Sequence, residues 1–113
     1  MLINERTRGV IADRIEVADT RRARRRGLLG RAGMEPSSAL MIVPCFAIHT
    51  AFMRFAIDVI FTAADGRVLR VVRSLPPWRL AVVPAARAVI ELAAGSVGEG
   101  TIAIGDRVTL RHS

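Results

Sequence analysis

The sequence predicts a mainly β (α+β) domain, a small antiparallel β-barrel or sandwich with one flanking helix near residues 20–32. Short apolar segments recur with a period of two, turns rich in glycine, proline and aspartate separate them, and only one stretch carries both an N-cap and a stop. At 113 residues the chain is expected to be one domain, residues 1–113. A chain of that size buries about 65% of its unfolded surface and needs no staple. Its single cysteine, Cys45, has no partner for an intramolecular disulfide, as in a reducing compartment.

From Gly9 to Val17, Ile11, Ile15 and Val17 alternate with charged residues, the pattern of a half-buried strand. Asp13 falls on the apolar side of that alternation and calls for a partner or an irregularity. Asp19 or Thr20 then caps the helix candidate, Gly33 stops it, and Ala23, Gly27 and Gly30 give it a small-residue face. Each glycine costs such a helix about 1 kcal/mol relative to alanine, so packing must hold it. "ALMIV" before Pro44 reads as a buried strand. Phe55, Ile57, Val59 and Phe61 alternate with Ala56, Asp58 and Ile60, "AADG" turns the chain, and "RVLRVVR" returns as the second arm of a hairpin. "SLPPWR" is a loop, since neither proline donates to a ladder. "ARAVIEL" (Ala86 to Leu92) and the closing "IGDRVTL" are further strands, joined by the turn "AAGSVGEG". Six or seven short strands and one helix result.

The net charge of +7 invites an anionic partner, yet all 17 basic residues are arginine. Absence of lysine, tyrosine and glutamine beside abundant alanine and glycine is the signature of a GC-rich coding bias, so part of the basicity carries no functional information. The start holds Glu5, Arg6 and Arg8 where a signal peptide needs an apolar stretch. The apolar region Ala39 to Phe55 is broken by Pro44, His49 and Arg54. Neither a signal peptide nor a membrane span is expected, and the expected location is cytoplasmic.

Several segments, taken in order, resemble the bacterial and archaeal domain-of-unknown-function family 192: "RGLLGRAGM", "IHTAFMRFAIDVIF", "DGRV", "LPPWR", "VIELAAG" and "IGDRV". The resemblance covers most of the chain and implies a small β-barrel-like domain with a flanking helix. It implies no activity. Many members carry a Trp-Met-Lys-Asn segment and a longer approach to a Pro-Leu-Asp triplet where this chain has "FMRFAID". Met53 and Asp58 match the family pattern, whereas Cys45, His49 and Thr50 fall on no shared site.

Three groups of residues carry chemistry. Cys45 and His49 are four apart, adjacent on a helix but about 13 Å apart on a strand. With Asp58 as orienter they form the candidate catalytic set of a thiol enzyme or a metal site, against the plainer reading of Cys45 as a small core residue. Zinc wants three or four ligands, and the other histidine, His112, lies beside the chain end. Arg54, Asp58, Trp78 and Arg79 form the candidate ligand-binding cleft, in which guanidinium groups pair with an anion and the indole makes a wall. The plainer reading has Asp58 satisfying backbone donors at a strand end. Arg21, Arg22, Arg24, Arg25 and Arg26 form a basic face for an anionic partner, or a solvated helix face. With no complete catalytic set present, the expected function is a non-enzymatic binding or accessory module. Its expected partners are an acidic protein or a small anionic ligand, with no cofactor and no metal. The alternatives are the thiol enzyme and nucleic-acid binding through the Arg21 to Arg26 face.

Overall fold

The computed structural model describes residues 1–98 and 100–111. Glu99, in the glycine-rich connection, and His112 and Ser113 at the end lie outside the described residues. The elements run β1 (Leu2–Asn4), β2 (Val10–Ala12), β3 (Arg14–Ala18), α1 (Arg21–Arg26), β4 (Ser38–Ile42), β5 (Ala47–His49), β6 (Ile57–Thr62), β7 (Val68–Leu75), β8 (Leu80–Val82), β9 (Ala88–Ala93) and β10 (Val108–Leu110). They form a five-stranded sheet in the order β3-β4-β9-β6-β7, a three-stranded sheet β10-β1-β2 and a two-stranded ribbon β5-β8. The β-rich architecture with one helix agrees with the sequence, but the sheets do not close into a barrel.

The central sheet is buried on both faces. β6 is enclosed along its whole length, and so is nearly all of β9. On one face Ile57, Val59, Phe61 and Val89 pack against Leu28 after the helix and against Ile48 and Ala81 of the ribbon. On the other, Ile60, Ile90 and Leu92 pack against Leu2, Ile11 and Val108 of the three-stranded sheet. Burying each such side chain contributes about 1.5–3 kcal/mol. Two-sided burial also explains the near-continuous apolar runs "IDVIF" and "AVIEL", whose lone acids Asp58 and Glu91 are therefore deeply enclosed.

The chain changes sheets at Asp13, whose side chain is exposed while its N–H donates to Ser37 O at 2.9 Å. The expected single strand Gly9 to Val17 is thus two, β2 in one sheet and β3 in the other, with the irregularity at the aspartate. β3 and β4 are parallel, and a parallel pair needs a crossover, which the α1 segment supplies.

The helix is shorter than the expected 20–32. Thr20 caps it, its Oγ1 accepting from Ala23 N at 3.1 Å. It ends at Arg26 because Gly27 takes φ 48°, ψ −127°, which a residue with a Cβ adopts only under strain. Gly27 and Gly30 therefore belong to the turns after the helix, not to a small-residue helix face. β7 also extends through Ser74 and Leu75, which the sequence places in the loop.

Candidate functional site

Two neighbouring features dominate the side of the molecule that carries α1 and the ribbon. The first is a pocket of about 220 Å³ between the helix, the turn after it and β5. Leu28, Leu29, Ile42, Ile48 and Met53 make its apolar wall, while Arg24, Arg25, Arg26, Pro44, Cys45 and His49 complete the lining around Glu91. Arg25, Arg26, Pro44 and His49 are exposed and mark its mouth.

Glu91 sits on β9, opposite Leu40 of β4 and Val59 of β6, and is only 3% exposed. Among the described residues its carboxyl group forms neither a hydrogen bond nor an ion pair, and burial pushes it up to about 7, opposed by the field of Arg31. Arg31 itself pairs with Glu16 at 2.9 Å. No fully sealed side-chain oxygen or nitrogen lacks a partner among the described residues, so the Glu91 oxygens open onto the pocket. Gly27 leaves that opening clear: a Cβ there would stand 3.9 Å from Glu91 Oε1.

Cys45 and His49 both line this pocket, Cys45 from the segment before β5 and His49 from the end of β5. Cys45 Sγ donates to Ala47 O at 3.1 Å, and burial raises the thiol above its ordinary value, with Glu91 adding to the shift and Arg24 and the Ala47 backbone opposing it. Asp58 is not with them. It faces the opposite side of the central sheet, where Oδ1 accepts from Ser74 N at 2.8 Å and Oδ2 from Gly95 N and Val97 N at 3.0 Å each. No group of three or more histidine, cysteine, aspartate or glutamate side chains among the described residues is arranged to hold a metal ion.

The second feature is an exposed apolar platform at the end of the ribbon. In the ribbon Ile48 and Ala81 face the core, while His49 and Leu80 form the next cross-strand pair on the other face. Just beyond, the fully buried Thr50 ties two loops together. Its N–H donates to Arg79 O at 2.8 Å, its O accepts from Trp78 N at 3.0 Å, its Oγ1 donates to Pro76 O at 2.7 Å, and Oγ1 accepts from Arg79 N at 2.8 Å. That knot holds Phe52 and Trp78 with ring centroids 4.6 Å apart and planes tilted by 59°. Phe52, Leu80 and Trp78 are 73%, 70% and 60% exposed. The backbones of Phe52 and Trp78 take φ 64° and 65°. That conformation costs an L-residue about 1–2 kcal/mol.

Of the expected cleft residues, Trp78 and Arg79 therefore meet at the platform and Arg54 is exposed two residues beyond Phe52, whereas Asp58 is enclosed elsewhere. On α1, Arg21, Arg22, Arg25 and Arg26 are exposed, and Arg24 is half-buried and donates to Asp19 O at 2.8 Å. Sequence reasoning missed Glu91 and the knot at Thr50. A glutamate inside "VIEL" was the available signal for the first. Nothing local announces the second, because its partners are more than 25 residues away.

Fold and site together define a small, mainly β domain with an acid-floored pocket beside an exposed aromatic platform. Within that class the chain belongs to the DUF192 family, described as "Uncharacterized ACR, COG1430", whose model matches residues 3–110. It is similar to the crystal structure of a protein of unknown function from Novosphingobium aromaticivorans DSM 12444, with TM-score 0.76 and 21% identity over 85% of this chain and 74% of that one. It is also similar to the crystal structure of a putative transcription regulator from Sinorhizobium meliloti 1021, with TM-score 0.76 and 22% identity over 84% of this chain and 79% of that one. At such identities the likeness establishes the fold alone. No curated protein matches the chain. No helix among the described residues is long and apolar enough to cross a membrane.

Proposed function

We propose that the protein is a non-enzymatic binding module whose working surface is the Phe52, Trp78 and Leu80 platform, and that it takes an acidic protein segment bearing apolar side chains. The observation that carries this reading is the strained, knotted presentation of two aromatic rings to solvent. The Thr50 knot holds Phe52 and Trp78 at positive φ, and the fold uses their backbones there while leaving their rings largely exposed as apolar surface available for contact. Exposed aromatics on a rigid frame are the usual anchors of an interface.

Charge selects the partner. Arg54 and Arg79 flank the rings, and no acidic residue occurs between Pro36 and Ile57 or between Gly66 and Ile90. An acidic segment therefore meets cations and no repulsion there.

The test is selection of peptides from a random twelve-residue display library on the intact protein. The expected result is enrichment of sequences combining Asp or Glu with Trp, Phe or Leu, whose synthetic versions bind Trp78→Ser and Arg79→Glu at least about tenfold more weakly. Enriched peptides that bind Trp78→Ser as well as the parent would overturn the proposal. So would co-sedimentation with phosphatidylglycerol vesicles in the absence of any peptide binding, which would make the platform a lipid contact.

A further inference from the structure

The pocket beside α1 rests on a different observation from the platform and supports a separate site. Its floor is a carboxyl group with no partner among the described residues, its walls are aliphatic, and its mouth carries guanidinium groups. Each layer asks for a different part of one ligand. A buried carboxylate without a hydrogen bond is costly until a cationic donor reaches it. Leu28, Ile48 and Met53 ask for a hydrocarbon segment, and Arg25 and Arg26 at the opening, where solvent still reaches them, ask for an anion.

We propose that this pocket binds a small aliphatic amine bearing an acid group, with the ammonium on Glu91, the methylenes against Leu28, Ile48 and Met53, and the acid group among Arg24, Arg25 and Arg26. A volume of about 220 Å³ fits a molecule of this size. Pockets for drug-sized ligands are larger, roughly 300–1,000 Å³. The thiol of Cys45 and the ring of His49 belong to the lining of this pocket.

Protonation of the floor gives the site a pH signature. The charged and titratable groups that line the pocket with Glu91 are Arg24, Arg25 and Arg26 from α1, Cys45 from the segment before β5 and His49 from β5, and Arg31 in the turn after α1 also acts on Glu91. With burial holding Glu91 at about 7, the carboxyl is neutral below that pH and charged above it. An ammonium needs the charged form, so affinity rises as pH increases through 7 and levels off above it.

The experiment titrates the isotope-labelled protein with 5-aminopentanoate, pentylamine and pentanoate, following backbone amide resonances at pH 6 and pH 8. The expected result is saturable shifts at Gly27, Leu28 and Glu91 with 5-aminopentanoate, affinity at least about threefold weaker with pentylamine, and at least about tenfold weaker with pentanoate. Affinity should fall about fivefold or more from pH 8 to pH 6. Glu91→Gln, whose unliganded spectrum reports its fold, should bind at least about tenfold more weakly and lose the pH dependence. The double variant Arg25→Gln, Arg26→Gln lies on the exposed rim, leaves the core intact and should reduce 5-aminopentanoate to the level of pentylamine. Pentanoate binding as tightly as 5-aminopentanoate, affinity in the parent that does not change with pH, or no saturable shift with any of the three would overturn the assignment. Binding at this pocket that survives Trp78→Ser separates its fate from that of the platform.

Discussion

Asp58 and Glu91 lie on adjacent strands of the central sheet, one residue out of register: Asp58 pairs with Leu92, and Glu91 with Val59. That offset sends them to opposite faces, and both are almost wholly enclosed. Asp58 accepts three backbone N–H bonds and fastens β7 and the turn after β9 to β6. Among the described residues the Glu91 carboxyl group fastens nothing. Burial of an acid therefore does not by itself mark a site. The partner count does, because an acid with its oxygens filled stabilises the fold and an unfilled one stands ready for a ligand.

Substitutions test that contrast. The largest effect belongs to Asp58→Ala, which leaves three backbone N–H groups without their acceptor, that of Val97 buried and those of Ser74 and Gly95 partly so, and should cost about 3–5 kcal/mol in denaturant unfolding. Asp58→Asn should not rescue it fully, since the amide nitrogen turns a donor toward donors. Glu91→Gln should do the opposite and stabilise the protein by up to about 3 kcal/mol at pH 8. The sign follows from linkage. The folded state holds the Glu91 proton up to about 7, whereas the unfolded chain releases it near the ordinary 4.5, so the parent loses stability between those values. The gain of the variant should accordingly vanish near pH 4 and be complete above pH 7.

Asp106 sharpens the comparison from the sheet edge. It accepts from Arg6 Nε at 2.6 Å and from Asn4 Nδ2 and Ala103 N at 2.9 Å each, and the Arg6 guanidinium holds its carboxyl well below the usual carboxylate range. Asp106→Ala should cost about 2–3 kcal/mol at pH 7. The parent keeps that contribution above the ordinary carboxylate range near 4 and loses it as pH falls far below, so the gap between the two should close only in strong acid. Trp78→Ser should be the smallest change, under about 1 kcal/mol, because what it removes is one exposed ring contact. A large loss there would return the platform to the fold.

Alternation in the sequence carried the β6–β7 hairpin, and the cap at Thr20 and the break at Asp13 were also legible, because each is a local preference of backbone and side chain. β1, β5 and β8 were not, since three residues are too few to show a period. The same limit hid which acid would be satisfied. Asp58 and Glu91 sit in similar apolar runs, and the donors that separate them lie 16 to 39 residues from Asp58. That the sheets stay open instead of closing into a barrel was likewise a matter of how sheets meet, which no single segment encodes.

The pairing of β1 with β10 sets Leu2 opposite Leu110. A ribosome adds about 5–20 residues per second, so β1 waits roughly 5–20 s before its partner strand is made. During that interval Leu2 and Ile11 have only part of the cover they will finally share with Val108. The second core is therefore sealed only once β10 is available, and until then Leu2 and Ile11 keep part of their apolar surface uncovered.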